Sequence, residues 1–133
     1  MDIPEGFVPF ENQGPFLEHV GPIHRRDDDG ELVLGLRAEE RHANHRGTVQ
    51  GGCLSTFADF AIGRAIENDA DDGRDRATVS LTVDYLKPAK PGDWIESRTK
   101  VDRVGSTLSF ADCSLCVDGR EIVRARAVYV VAG

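Results

Sequence analysis

NHRGTVQGGCLSTFADFAIGRAI, residues 44–66, changes its period part-way along. After the polar opening, Leu54, Phe57, Ala58, Ala61, Ile62, Ala65 and Ile66 recur at intervals of three and four, which predicts a helix that buries one stripe. The helix begins at the pair Gly51 and Gly52 and ends before the polar run ENDADDGRDR. Asp59 stands inside the apolar part. A carboxylate taken out of water costs several kcal/mol unless it is paired, so Asp59 is a functional candidate, the structural alternative being an ion pair with Arg64 or Arg46. Phe60 falls off the stripe, which predicts that the helix is covered on more than one side, by a second subunit.

Upstream, residues 1–30 are rich in Pro, Gly and acidic side chains and read as an N-terminal extension with a short helical turn at Phe16, Leu17 and Val20. An Asp-Gly turn follows. Leu32, Leu34, Leu36 and Ala38 then alternate with Glu31, Arg37 and Glu39, the pattern of a half-buried strand over roughly 31–39. Downstream of the helix, ATVSLTVDYLK, DWIESRTKVDRV, STLSFADCSLCV and REIVRARAVYVV all read as strands. They are separated by PAKPG, Gly105 and the hairpin signal Asp118-Gly119. The order predicts an α+β domain over 31–133: a long central helix wrapped by a curved antiparallel sheet of about five to six strands, the last four in a meander.

The chain of 133 residues fits one domain, with 40% hydrophobic and 29% charged residues, as in globular proteins. Its net charge of -7, without a Lys/Arg stripe, argues against a nucleic-acid partner. Cys53, Cys113 and Cys116 make no even framework and read as reduced thiols of a cytoplasmic protein. Cys113 and Cys116 sit three apart in a strand and so face opposite ways. The N-terminus lacks the pattern of a signal peptide and no run approaches the length of a membrane span, so no membrane partner is expected. His42 and His45 lack a third ligand at a recognisable spacing, so no metal is expected. Cys53 at the helix start is an alternative nucleophile, but no assigned His base accompanies it.

The N–H groups at Gly51 and Gly52 are those a helix start leaves unpaired, a place for a developing oxyanion. Asp59 lies eight residues on, roughly 12 Å along the axis, too far for both groups of one chain to serve one carbonyl. Two antiparallel helices across a two-fold axis bring the Asp59 of one subunit to the glycine end of the other. Gly63, one turn after Asp59, leaves room for a substrate. Such a combination suits acyl transfer to water.

The pattern Asn44-x-x-Gly47-x-x-Gln50-Gly51-Gly52, then Asp59 and Gly63, together with YLKPAKPGD at 85–93, resembles the hotdog-fold acyl-CoA thioesterases of the PaaI-like, phenylacetic-acid-degradation type. The likeness covers about residues 30–131. It implies that the Gly51 N–H polarises a thioester carbonyl and that Asp59 activates water or attacks directly. Asn44 would hold the water or thioester, and Thr78 would help place the nucleophile. Gly52, Gly63, Lys87, Lys90, Arg103, Gly105 and Ser106 become candidates for binding substrate and CoA. The resemblance further implies hydrolysis of a small to medium acyl or aryl thioester without a cofactor, by a dimeric catalytic unit assembled into a tetramer. Gln50 stands where the family has His, and its amide can orient the acyl carbonyl. Two rivals share the fold: a non-catalytic acyl-CoA-binding module, for which Asp59 has little use, and a dehydratase, which needs a His–Asp pair absent from the helix. Phe7, Phe10, Phe16 and Trp94 either line an acyl pocket or pack.

Overall fold

Leu54, Phe57, Ala58, Ala61, Ile62, Ala65 and Ile66 are all buried on one helix, Gly51–Ala70, in the computed structural model, which describes residues 2–132. The helix runs a turn beyond its predicted end. It stops at Asp71, whose left-handed backbone (φ 46°) caps it while its N–H donates to the Glu67 carbonyl at 3.0 Å. In chain order the elements are β1 (Val8–Pro9), α1 (Pro15–Val20), β2 (Ile23–Asp28), β3 (Glu31–Arg37), a short 3-10 turn (Glu40–His42), α2 (Gly51–Ala70), β4 (Arg76–Tyr85), β5 (Trp94–Val104), β6 (Leu108–Val117) and β7 (Arg120–Val131).

All the strands belong to one antiparallel sheet in the order β1-β2-β3-β5-β6-β7-β4, and α2 packs on its inner face. Leu34, Leu36, Ile95, Leu115, Val123, Ala125 and Ala127 are buried with the stripe of α2. The α+β hotdog architecture is therefore as the sequence implies. The turn at Asp118-Gly119 closes β6 onto β7, with φ of 51° and 77°, so that Val117 faces Arg120.

Three expectations need correction. The last four strands are not a simple meander, because β4 pairs with β7 at the edge rather than with β5. Residues 86–93 carry the chain under the start of α2 to the other side of the sheet. They are held there by Leu86 N–H on the Ile122 carbonyl, Val49 N–H on the Ala89 carbonyl and Ala38 N–H on the Asp93 carbonyl, each at 2.8 Å. The sheet has seven strands because Ile23–Asp28, despite its charges, forms a hairpin with β3 across Asp29-Gly30. Its basic and acidic residues pair along the strand, Arg25 with Asp27 at 3.2 Å and Arg26 with Asp28 at 2.7 Å. Finally, β3 is buried on both faces: Val33 is as inaccessible as Leu34, and Gly35 lies under the indole of Trp94, which Phe7 meets edge-on at 5.0 Å.

The far edge is different in character. β4 is ten residues long and its outer edge is unpaired, with Val79 57% and Tyr85 53% exposed. An apolar edge of that length is a surface that proteins ordinarily cover.

Candidate active site

Asp59 meets the sheet where β4 and β7 lie side by side. Thr78 and Tyr129 are directly opposed across those strands, and both carry a hydroxyl to the same helix residue. The Thr78 hydroxyl donates to Asp59 Oδ1 at 2.8 Å, and the Tyr129 hydroxyl lies 2.5 Å from the same oxygen. A bulge between Thr78 and Ser80 interrupts the register beside this contact. Arg64, the cation proposed as a structural partner for Asp59, bonds Glu67 at 2.6 Å instead, and no salt bridge among the described residues involves Asp59 or Arg46. Two neutral donors thus hold a half-buried carboxyl group without an ion-pair partner among the described residues.

Asp59 opens into a cavity of about 320 Å³ walled by Phe16 and Leu17 of α1, Thr56, Phe60 and Gly63 of α2, and Thr78 and Tyr129. Phe16 and Thr56 also line a second cavity reaching Gln50, Gly52 and Cys53, so the two adjoin along α2 beneath α1. Of the four aromatic residues left open by the sequence, only Phe16 lines this space, 63% exposed; Phe10 packs edge-on against Phe60 at 5.3 Å, and Phe7 and Trp94 pack together. α1 is fastened by the segment before the helix. Arg41 donates to the carbonyls of His19 and Gly21, and His42 takes the Glu39 N–H on Nδ1 at 2.9 Å and reaches the Val20 carbonyl with Nε2 at 2.5 Å.

Gly51 and Asn44 belong to a different cavity, shared with Thr48, Tyr85, Leu86, Lys87 and Pro88. Asn44 shapes its own loop: its side chain accepts the N–H groups of Arg46 and Thr48 at 2.8 and 3.2 Å and donates to the Thr48 hydroxyl at 3.0 Å. The Gly51 carbonyl accepts the Tyr85 hydroxyl at 3.1 Å, and a β carbon at Gly51 would stand 3.3 Å from that ring. The helix itself leaves the Gly51 and Gly52 N–H groups free. Gln50 is exposed; its carbonyl takes the Cys53 N–H at 3.0 Å, and its side chain makes no capping bond. Lys87 and Lys90 are exposed on the connection near the glycine end of α2. Arg103 near the end of β5 and Gly105 and Ser106 in the β5–β6 turn lie beside the start of β4, where Val131 N–H meets the Thr107 carbonyl at 2.9 Å. One chain therefore separates the candidates into two groups, at opposite ends of the sheet.

Tyr129 was not singled out in the sequence, where it looks like one more large residue of an alternating strand. The signal was Gly63: a β carbon there would lie 3.0 Å from the Tyr129 ring and hydroxyl, so the room it leaves is taken by Tyr129 of the same chain. The cysteines are poor nucleophiles. Burial pushes the Cys53 thiol up in spite of nearby Arg41, and pushes that of Cys113 to about 11; Cys113 faces inward and Cys116 outward. Among the described residues no three His, Cys, Asp or Glu side chains are grouped to hold a metal.

The family model of the thioesterase superfamily matches residues 46–123, from the loop before the glycine pair into the start of β7. A "putative esterase" of Pseudomonas aeruginosa is 38% identical over 130 residues, 97% of each chain. Acyl-coenzyme A thioesterase 13 of Mus musculus is 31% identical over 84 residues, covering 63% of this chain and 59% of the mouse protein. A solved structure from Ralstonia eutropha JMP134, described as a putative thioesterase and phenylacetic acid degradation-related protein, superposes with a TM-score of 0.79 at 26% identity, over 89% of this chain and 91% of that one.

Proposed function

Since the chain belongs to the thioesterase superfamily and is on that ground a thioester hydrolase, we propose that it releases a small to medium acyl or aryl group from coenzyme A as the free acid. The observation that carries this reading is the carboxylate of Asp59, held by two hydroxyls in an aromatic-walled cavity while the Gly51 helix start faces a separate one. A thioester bridges the two when a pair of protomers joins through their β4 edges, which runs the two α2 helices antiparallel. The Gly51 N–H of one protomer then donates to the thioester oxygen, an effect worth roughly 3 to 4 kcal/mol in other oxyanion holes. Asp59 of the partner takes a proton from water adding to the carbonyl carbon, or adds itself and is freed by water. The C–S bond breaks and the thiolate leaves with a proton.

Asn44 holds the water or the thioester, and Gln50 orients the acyl carbonyl. The same pairing sets Lys87 and Lys90 of one protomer near the partner's Arg103, Gly105 and Ser106, a composite seat for the CoA phosphates. The dimer is the catalytic unit and dimers pair into a tetramer. Among the described residues no helix is long and apolar enough to cross a membrane, and the three free cysteines suit a reducing cytoplasm.

The test is thiol release from a panel of acyl-CoAs by the wild type and by Asp59→Asn. A loss of about a hundredfold or more in a folded, assembled variant supports the reading. Acyl-CoA binding by both proteins without thiol release from any member of the panel would identify a binding module instead.

A further inference from the structure

We infer that Tyr129 is a positioning residue that fixes one oxygen of Asp59 so that the other is left free for the chemistry. The kinetic side of this inference rests on the thioesterase reading; the geometry does not. Tyr129 and Thr78 converge on Oδ1, at 2.5 and 2.8 Å, whereas Oδ2 accepts no hydrogen bond among the described residues. The Tyr129 hydroxyl also lies 2.5 Å from the Asp59 carbonyl. It has one proton to give, and an ionised carboxylate is a better acceptor than a peptide carbonyl, so the proton goes to Oδ1. The terminal torsion of an aspartate is broad and nearly two-fold, so an unrestrained Asp59 would present either oxygen in a spread of orientations. Two donors on one oxygen remove that freedom before substrate arrives.

The phenol is itself immobilised. Tyr129 is paired with Ser109 on one side and with Thr78 on the other, is only 5% exposed, and has its ring against the bare backbone of Gly63, one turn beyond Asp59. Burial, and then the hydrogen bond with Asp59, raise its pKa above the ordinary tyrosine value, so it remains a protonated donor throughout the neutral range. The charged groups around Asp59 are Arg64 and Glu67 on α2 and Arg76 on β4, while α1 presents Phe16 and Leu17. Arg64 is engaged by Glu67, and Arg76 by Asp72 at 2.8 Å. The hydroxyls are therefore the groups that orient the carboxylate.

Tyr129→Phe removes the hydroxyl and keeps the ring. On the preferred acyl-CoA we expect kcat to fall about 10- to 100-fold with KM within about twofold. Carbon-13 NMR of the Asp59 carboxyl, compared between wild type and Tyr129→Phe, should show its resonance displaced on loss of the donor. An unchanged kcat and an unchanged carboxyl resonance in a folded variant would overturn the inference, leaving Tyr129 as packing alone. Should the wild type hydrolyse no thioester, the functional reading falls while the carboxyl resonance still decides the role of Tyr129.

Discussion

Gly63 and Tyr129 are fitted to each other: a β carbon on residue 63 would lie 3.0 Å from both the Cε2 and the hydroxyl of the tyrosine. Alanine in a helix interior gains about 1 kcal/mol over glycine, while overfilling a packed site typically costs about 1 to 3 kcal/mol. The two nearly offset, so Gly63→Ala should lower unfolding free energy in urea by only about 0 to 2 kcal/mol. Activity should respond far more. A ring pushed by a few tenths of an ångström no longer brings its hydroxyl onto Asp59, and turnover should drop about tenfold or more. Equal activity in the variant would mean that the ring yields without leaving the carboxylate.

The last hairpin and the helix stripe were legible because their signals are local. Period and spacing identify α2, and Asp118-Gly119 closes β6 on β7 as read. The place of β4 was not legible, because Pro-Ala-Lys-Pro-Gly resembles a hairpin connection and nothing in it tells that β6 and β7 lie between the two strands it joins. β2 was concealed by its composition: HRRDDD resembles a solvated loop, yet a strand between β1 and β3 can pair its charges along its own length. Asp59, Thr78 and Gly51 became candidates through spacing and resemblance. Tyr129 was not, because a tyrosine three strands and 51 residues after the threonine it opposes carries no local mark of its contact with a helix.

Gly35 offers a test of the outer face. A β carbon there would fall 2.0 Å from Trp94 Cζ2, and the indole cannot retreat: its Nε1 donates to Glu96 at 3.0 Å, Arg37 lies over it at 5.1 Å and Phe7 abuts its edge. Gly35→Ala should therefore cost about 3 kcal/mol or more in chemical denaturation. Trp94→Leu made in the same chain should recover part of that loss, since the two residues share one contact. Additive losses in the double variant would show that the clash is not the cause.

His24 gives stability a pH dependence. It is 9% exposed, stands edge-on to Trp94 at 5.9 Å, and burial lowers its pKa from 6.5, opposed by a hydrogen bond with the Pro22 backbone. Between the folded and unfolded values the unfolded chain binds more protons, so stability rises with pH through that window and is complete above about 6.5. Thermal melting should therefore fall as pH is lowered from about 7.5 to about 5, and by less in His24→Gln than in wild type. Parallel curves for the two proteins would remove His24 as a source.

A site divided between protomers can be reassembled from two broken ones. Gly51→Pro deletes the N–H proposed to bind the oxyanion, at the first helical position, where proline is tolerated. The preceding Gln50 already has φ −58° and ψ 133°, the extended backbone that a residue before proline requires. The new ring carbon must press on Tyr85, which is half exposed and can shift. The variant should fold and lose about 10² to 10³ in kcat, as Asp59→Asn should by loss of the base. Neither homodimer has an intact site. In a heterodimer formed by unfolding and refolding an equal mixture, one of the two sites combines a native Gly51 with a native Asp59. Random pairing then returns about a quarter of wild-type activity, because half the dimers are mixed and each carries one good site in two. A mixture no more active than its components, with mixed dimers demonstrated by mass spectrometry, would place both groups in one chain and undo the two-fold model.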